Sequence, residues 1–138
     1  MTYWNNPDYS ASGAPQTPFT RPLEYCRELF IENETRFIRL YDKYYFQKEG
    51  IWLFGTAQFK EETPEQLRDL LGLPFVPIYI CDVFVKPSRI LIYFISDANN
   101  PSKKGQLVSQ AEQGLRFENE RLLKPNTPIQ QQLGNQPE

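Results

Sequence analysis

The sequence predicts an α+β fold: a small, largely antiparallel sheet, split or continuous, with two main helices. Three observations point there. A complete helix signature runs from Thr63 to Pro74. Apolar residues recur at helical spacing over 22–33. Aromatic and β-branched residues gather in short runs over 36–46, 76–85 and 89–95.

Taken in order, residues 1–20 read as an extended lead-in. Pro7, Pro15 and Pro18 punctuate it, and each restricts its own φ and its predecessor's conformation. Trp4, Tyr9 and Phe19 are unusual for a free tail and are suited to tacking it onto a domain surface. A single globular domain is expected over 21–125, and a flexible Gln/Pro/Asn-rich tail over 126–138. The first expected helix covers 22–33. Pro22 suits the first helical position, and Leu23, Cys26 and Phe30 follow the i, i+3, i+7 spacing. Residues 36–46 then read as a strand and 51–54 as a short buried strand or loop.

The clearest local signal is TPEQLRDLLGLP, residues 63–74. Thr63 is an N-cap, Pro64 takes the first helical position and Gln66 completes a capping box. Leu67, Leu70 and Leu71 form the apolar stripe. Gly72 can adopt the left-handed conformation that ends a helix, and Pro74 blocks continuation. Residues 76–85 and 89–95 follow as a hairpin or a pair of sheet strands. A polar loop covers 99–105, and a last strand or two lies within 115–123.

Composition narrows the function classes. The chain has 138 residues, 40% of them hydrophobic, which is enough for one real core. Lys+Arg is 15 against Asp+Glu 17, a net charge of −2, which argues against a nucleic-acid or anionic-membrane binder. No histidine is present, so Ser-His-Asp and Cys-His triads and His-ligated zinc are excluded. Cys26 and Cys81 cannot complete a four-cysteine metal site; they fit buried, reduced thiols, with a single disulfide as the alternative, and no bound metal is expected. The N-terminus lacks a basic segment followed by an apolar one, so no cleaved signal peptide is read there. The expected location is the cytoplasm, or delivery by a secretion system that needs no cleaved signal. The apolar runs at 76–85 and 90–95 are too short to cross a membrane as helices.

Two constellations could carry chemistry. In Glu118-Asn119-Glu120, strand geometry would set two carboxylates on one face, where one could hold a hydroxyl while the other steadies a developing cation. The same residues also fit a solvent-facing strand edge. Arg39 and Tyr41 share a face of the first strand. They could bind a phosphate and stack on a planar ring, or form a salt bridge and a core aromatic. Trp52 fits the core or a ligand-stacking position. Lys103 and Lys104 form a small basic loop.

The order RLYD (39–42), GIWL (50–53), LRDLLGLP (67–74), ICDVFVKP (80–87) resembles the C-terminal domains of bacterial polymorphic toxins. These are small domains related to the tuberculosis necrotizing toxin and, more distantly, ADP-ribosyltransferases. The resemblance covers roughly residues 35–123. It implies that NAD is a substrate, not a permanent cofactor, and that the nicotinamide–ribose bond is cleaved. On that analogy the activity is NAD glycohydrolase or mono-ADP-ribosyltransferase, full or degenerate. Arg39 would hold the phosphates, Tyr41 and Trp52 would pack on the dinucleotide, and Glu120 with Glu118 would steady the cationic ribose. The glycine-rich G-G-x-Q segment and the histidine of the necrotizing-toxin relatives have no counterpart here. The rival reading is a non-catalytic interaction module, an immunity or adaptor protein that binds a protein partner through aromatic surface.

Overall fold

The computed structural model describes residue 19, residues 23–95 and residues 106–134. Among the described residues, strands β1 (Leu23–Ile31), β2 (Thr35–Tyr41) and β3 (Trp52–Gly55) precede a single helix, α1 (Pro64–Leu71). Strands β4 (Tyr79–Val85), β5 (Ser88–Ile95), β6 (Gln106–Gln110) and β7 (Leu115–Leu122) follow, and a 3₁₀ turn spans Ile129–Gln132. All seven strands join one sheet in the order β1-β5-β6-β3-β2-β4-β7, and every pairing is antiparallel.

This architecture corrects the expected α+β class with two main helices. The segment expected as the first helix is strand β1, paired along its length with β5. Its i, i+3, i+7 spacing suits a helix, but Phe30, which that spacing would bury, is 60% exposed. The apolar β5 offers a continuous row of backbone donors and acceptors, and pairing with it outweighs a weak local preference. The segment after the 99–105 loop holds β6, whose polar ends conceal a buried centre at Val108 and Ser109. Strands β4 and β5 follow each other in sequence but pair with different neighbours, β4 with β2 and β7 and β5 with β1 and β6.

Helix α1 lies where its punctuation puts it. The Thr63 hydroxyl accepts from the Gln66 N–H, and the Gln66 side chain accepts from the Thr63 N–H at 3.0 Å. Gly72 is left-handed at φ 66°. Leu67 and Leu71 are buried in the hydrophobic core, together with Ile38, Leu53, Ile80, Val83 and Val85. Strand β2 is buried on both faces from Phe37 to Tyr41.

Phe19 sets the end of the lead-in edge-on against Trp52 at 5.9 Å and Phe54 at 6.2 Å. The remaining aromatics of the lead-in, Trp4 and Tyr9, and the Lys103-Lys104 loop lie outside the described residues. Of the 126–138 stretch expected as a flexible tail, Ile129 and Leu133 pack into the core. Cys81 is a free, buried cysteine. No helix among the described residues is long and apolar enough to cross a membrane.

Candidate functional site

Tyr41 and Glu120 meet although 79 residues separate them: the Tyr41 hydroxyl donates to Glu120 Oε1 at 2.6 Å. Sheet order explains the encounter. Strand β4 lies between β2 and β7, with Tyr41 opposite Tyr79 and Tyr79 opposite Leu122. Tyr41 reaches across β4, and its ring stacks on Tyr79 at 5.5 Å. Lys43 completes the group. Its ammonium lies 3.1 Å from Glu120 Oε2 and 4.3 Å from the centre of the Tyr79 ring.

A bulge aims Glu120 at this group. Ile80 pairs with Arg121 and Asp82 with Glu118, so Asn119 and Glu120 together stand opposite Cys81. Asn119 takes φ +58°, a conformation that asparagine tolerates better than most residues. The extra residue breaks the two-residue alternation. Glu118 turns with its partner Asp82 and pairs with Arg116, which reaches on to Glu34 at 2.8 Å. Glu120 turns to the opposite face, toward Tyr41. The side-by-side carboxylates expected from an unbroken strand are therefore parted by the bulge.

The electrostatics follow from these contacts. Hydrogen bonds from Tyr41 and Lys43 hold the Glu120 carboxyl below its usual pKa. The bond to Glu120 raises the Lys43 ammonium in turn. Burial, then the Glu120 carboxylate, push the Tyr41 hydroxyl up, so it remains a proton donor. Burial also pushes the Cys81 thiol up to about 11, which disfavours the nucleophilic thiolate.

Arg39 shares a strand face with Tyr41 but reaches the other way. Strands β2 and β3 pair only at Phe37 and Ile38 and then part. Arg39 bridges the gap: its guanidinium donates to the Trp52 carbonyl at 3.2 Å and to the Gln47 carbonyl at 3.0 Å. It is 2% exposed. Trp52 is buried as well, edge-on to Phe19 and Tyr93. Of the five nominated residues, the fold thus joins Tyr41 to Glu120. Arg39 and Trp52 stand together inside the protein, and Glu118 stands on a different face.

Sequence reasoning missed Lys43, Tyr79 and the surface around them. One signal was available. Asp42 opens a turn in which its Oδ1 accepts from the N–H groups of Tyr44, Tyr45 and Phe46. That turn leaves Tyr44 81% exposed and Tyr45 52% exposed. Tyr45 stacks on Phe75. Ile78 and Leu122, also exposed, border the same end of the sheet: the Ile78 N–H bonds to the Tyr41 carbonyl, and Leu122 stands opposite Tyr79. Among the described residues, no cluster of three metal-ligating side chains occurs.

Compared with known protein families, curated proteins and solved structures, the chain matches none significantly.

Proposed function

We propose that the chain is a non-catalytic protein-interaction module, an adaptor or immunity protein that docks a folded partner. The docking surface is the sheet end where β2 stops, β4 starts and β7 stops. The observation that carries this reading is the exposure of Tyr44, Tyr45, Ile78 and Leu122 at the same sheet end that holds the Lys43–Glu120 pair. Large aromatics beside a fixed charge pair are the anchors and polar orientation marks of a protein interface. The anion-binding role nominated for Arg39 receives less support, because its donors already serve internal carbonyls.

One observation favours the NAD-processing reading as a second. The Tyr41–Glu120 contact fixes a carboxylate at one end of a β-strand, and stabilising a cationic ribose calls for a positioned carboxylate. A single preparation separates the two. Affinity capture from producing cells is expected to retain a stoichiometric partner with the wild type and with Glu61→Gln, and to lose it with the Tyr44→Ser, Leu122→Ser double variant. Equal retention by all three, or no retained partner, refutes the docking surface. Release of nicotinamide from NAD that disappears in Glu120→Gln establishes the enzyme instead.

A further inference from the structure

Strands β1 and β7 are the two edges of the sheet, and they are built differently. The β7 edge is interrupted: Asn119 bulges at φ +58°, and the Arg121 guanidinium donates to its carbonyl. Bulges and charges of this kind keep an edge from accepting a further strand. In β1 the register shifts once near the start, between Glu24 and Cys26. From Cys26 to Ile31 its ladder with β5 then runs unbroken, and no proline interrupts it. Among the described residues no strand pairs with the outer side of β1. Its alternate backbone N–H and C=O groups are therefore open to a further strand.

The side chains agree with an open edge. Arg27, Glu28, Leu29 and Phe30 are exposed in succession. Successive side chains of a strand point to opposite faces, so this edge is uncovered on both. Arg27, Leu29 and Ile31 share one face, and Glu28 and Phe30 the other. Leu29 is 42% exposed although it stands opposite Ile90, and both Ile90 and Ile31 are buried. The core thus reaches the edge at Leu29 and stops there. On the other face Phe30 stands opposite Arg89, whose guanidinium lies 4.0 Å from Glu28.

We propose that β1 pairs antiparallel with β1 of a second copy of this chain, about a two-fold axis between the two Leu29 residues. A two-fold axis through an antiparallel pair sets one residue against itself, so each centre can be compared by what it opposes. An axis at Arg27 opposes two guanidiniums and one at Glu28 two carboxylates, and like charges directly opposite are destabilising. An axis at Phe30 pairs three residues per copy before β1 ends, and one at Ile31 pairs that residue alone. An axis at Leu29 pairs five, Arg27–Ile31, and no like charges meet among them. Ile90, the two Leu29 side chains and the second copy's Ile90 then form one apolar row that carries the core across the axis. Phe30 of each copy faces Glu28 of the other, and the aliphatic stem of Arg27 lies along Ile31. The pairing closes at two copies, because it uses each β1 once and the β7 edge is blunted.

The test is sedimentation velocity of the full chain from about 10 to about 500 µM, since so small an interface implies a dissociation constant on the order of 100 µM. The expected result is a monomer that becomes a dimer, and nothing larger, as concentration rises. Leu29→Lys and Leu29→Glu each place like charges on the axis and are each expected to weaken association about fivefold or more. An equimolar mixture of the two variants places opposite charges there and is expected to associate more tightly than either alone. In the wild type, hydrogen exchange of the 27–31 amides is expected to slow as the protein is concentrated, a measurement that needs no substitution. A monomer at every concentration overturns the proposal, with or without a foreign peptide paired to β1. So does a species larger than a dimer, a dimer that Leu29→Lys leaves unweakened, a mixture no tighter than its components, or exchange over 27–31 that is independent of concentration.

Discussion

Arg39 carries a permanent charge into the core, where Phe46 lies 6.0 Å below its guanidinium carbon. Such a group is tolerated because hydrogen bonds to the Gln47 and Trp52 carbonyls replace its hydration. Those bonds also hold the chain between β2 and β3, including the turn that presents Tyr44 and Tyr45. Arg39→Ala is expected to cost on the order of 3 kcal/mol in urea unfolding, the scale of charge-assisted hydrogen bonds lost from a buried site. An unchanged denaturation midpoint would contradict the structural role. Glu120 answers to pH instead. Its carboxyl is held below the ordinary value of 4.5. Its contribution to stability is therefore present above that value and is lost as pH falls through the depressed folded-state pKa. The thermal midpoints of wild type and Glu120→Gln are expected to differ at about pH 7 and to converge as pH drops toward about 2. A gap that stays constant with pH would mean that the carboxylate charge contributes nothing.

Helix α1 shows how much local chemistry one element can contain. Its start is reciprocal, with Thr63 and Gln66 each satisfying the other's backbone N–H. Its end is a left-handed glycine, with the Leu73 N–H returning to the Arg68 carbonyl at 2.9 Å. Thr63→Ala is expected to destabilise the protein by about 1 kcal/mol, with the loss of amide protection confined to the first turn. Hydrogen exchange that leaves the Gln66 amide as slow as in the wild type would contradict the cap. Element β1 behaves differently. Its register is imposed by β5, so no short motif within it decides between helix and strand. At β7 a single residue decides, since Asn119 in the left-handed region sends Glu118 and Glu120 to opposite faces.

On the scale of the whole molecule, Asp82 ties the far end of the chain to the sheet. Its Oδ1 accepts from Arg36 at 2.8 Å and from Arg121 at 3.4 Å, and its Oδ2 accepts from the Asn119 amide at 2.9 Å. Both arginines also donate to the Leu133 carbonyl, at 2.7 and 2.8 Å. Three strands and the C-terminal segment thus share one network with 3% of Asp82 exposed. Asp82→Ala leaves two guanidiniums facing each other without their counter-charge. A loss of roughly 3–5 kcal/mol is expected, together with faster amide exchange over 129–133. The double variant Asp82→Ala, Arg36→Met should recover part of that loss. A cycle showing simple additivity would mean that the network is not coupled.

What the sequence alone determined is what depends on neighbours along the chain. Helix α1 and its two caps, the β character of β2, β4, β5 and β7, and the burial of Leu67, Leu71 and Cys81 all follow from residue type and spacing. The shared face of Arg39 and Tyr41 follows too, because an unbroken strand alternates strictly. What only the tertiary structure decided depends on distant partners. The strand state of Leu23–Ile31 needs β5. The strand state of Gln106–Gln110 needs β3 and β5, since its own polar ends carry little signal. The divergence of Arg39 from Tyr41 needs β3 to part from β2, and the meeting of Tyr41 with Glu120 needs β7 beside β4. The physical reason is that helix caps and alternation are enforced by contacts a few residues away. Strand pairing is paid for by backbone hydrogen bonds to chain far off in sequence, and those bonds are blind to side-chain pattern until the sheet order is set.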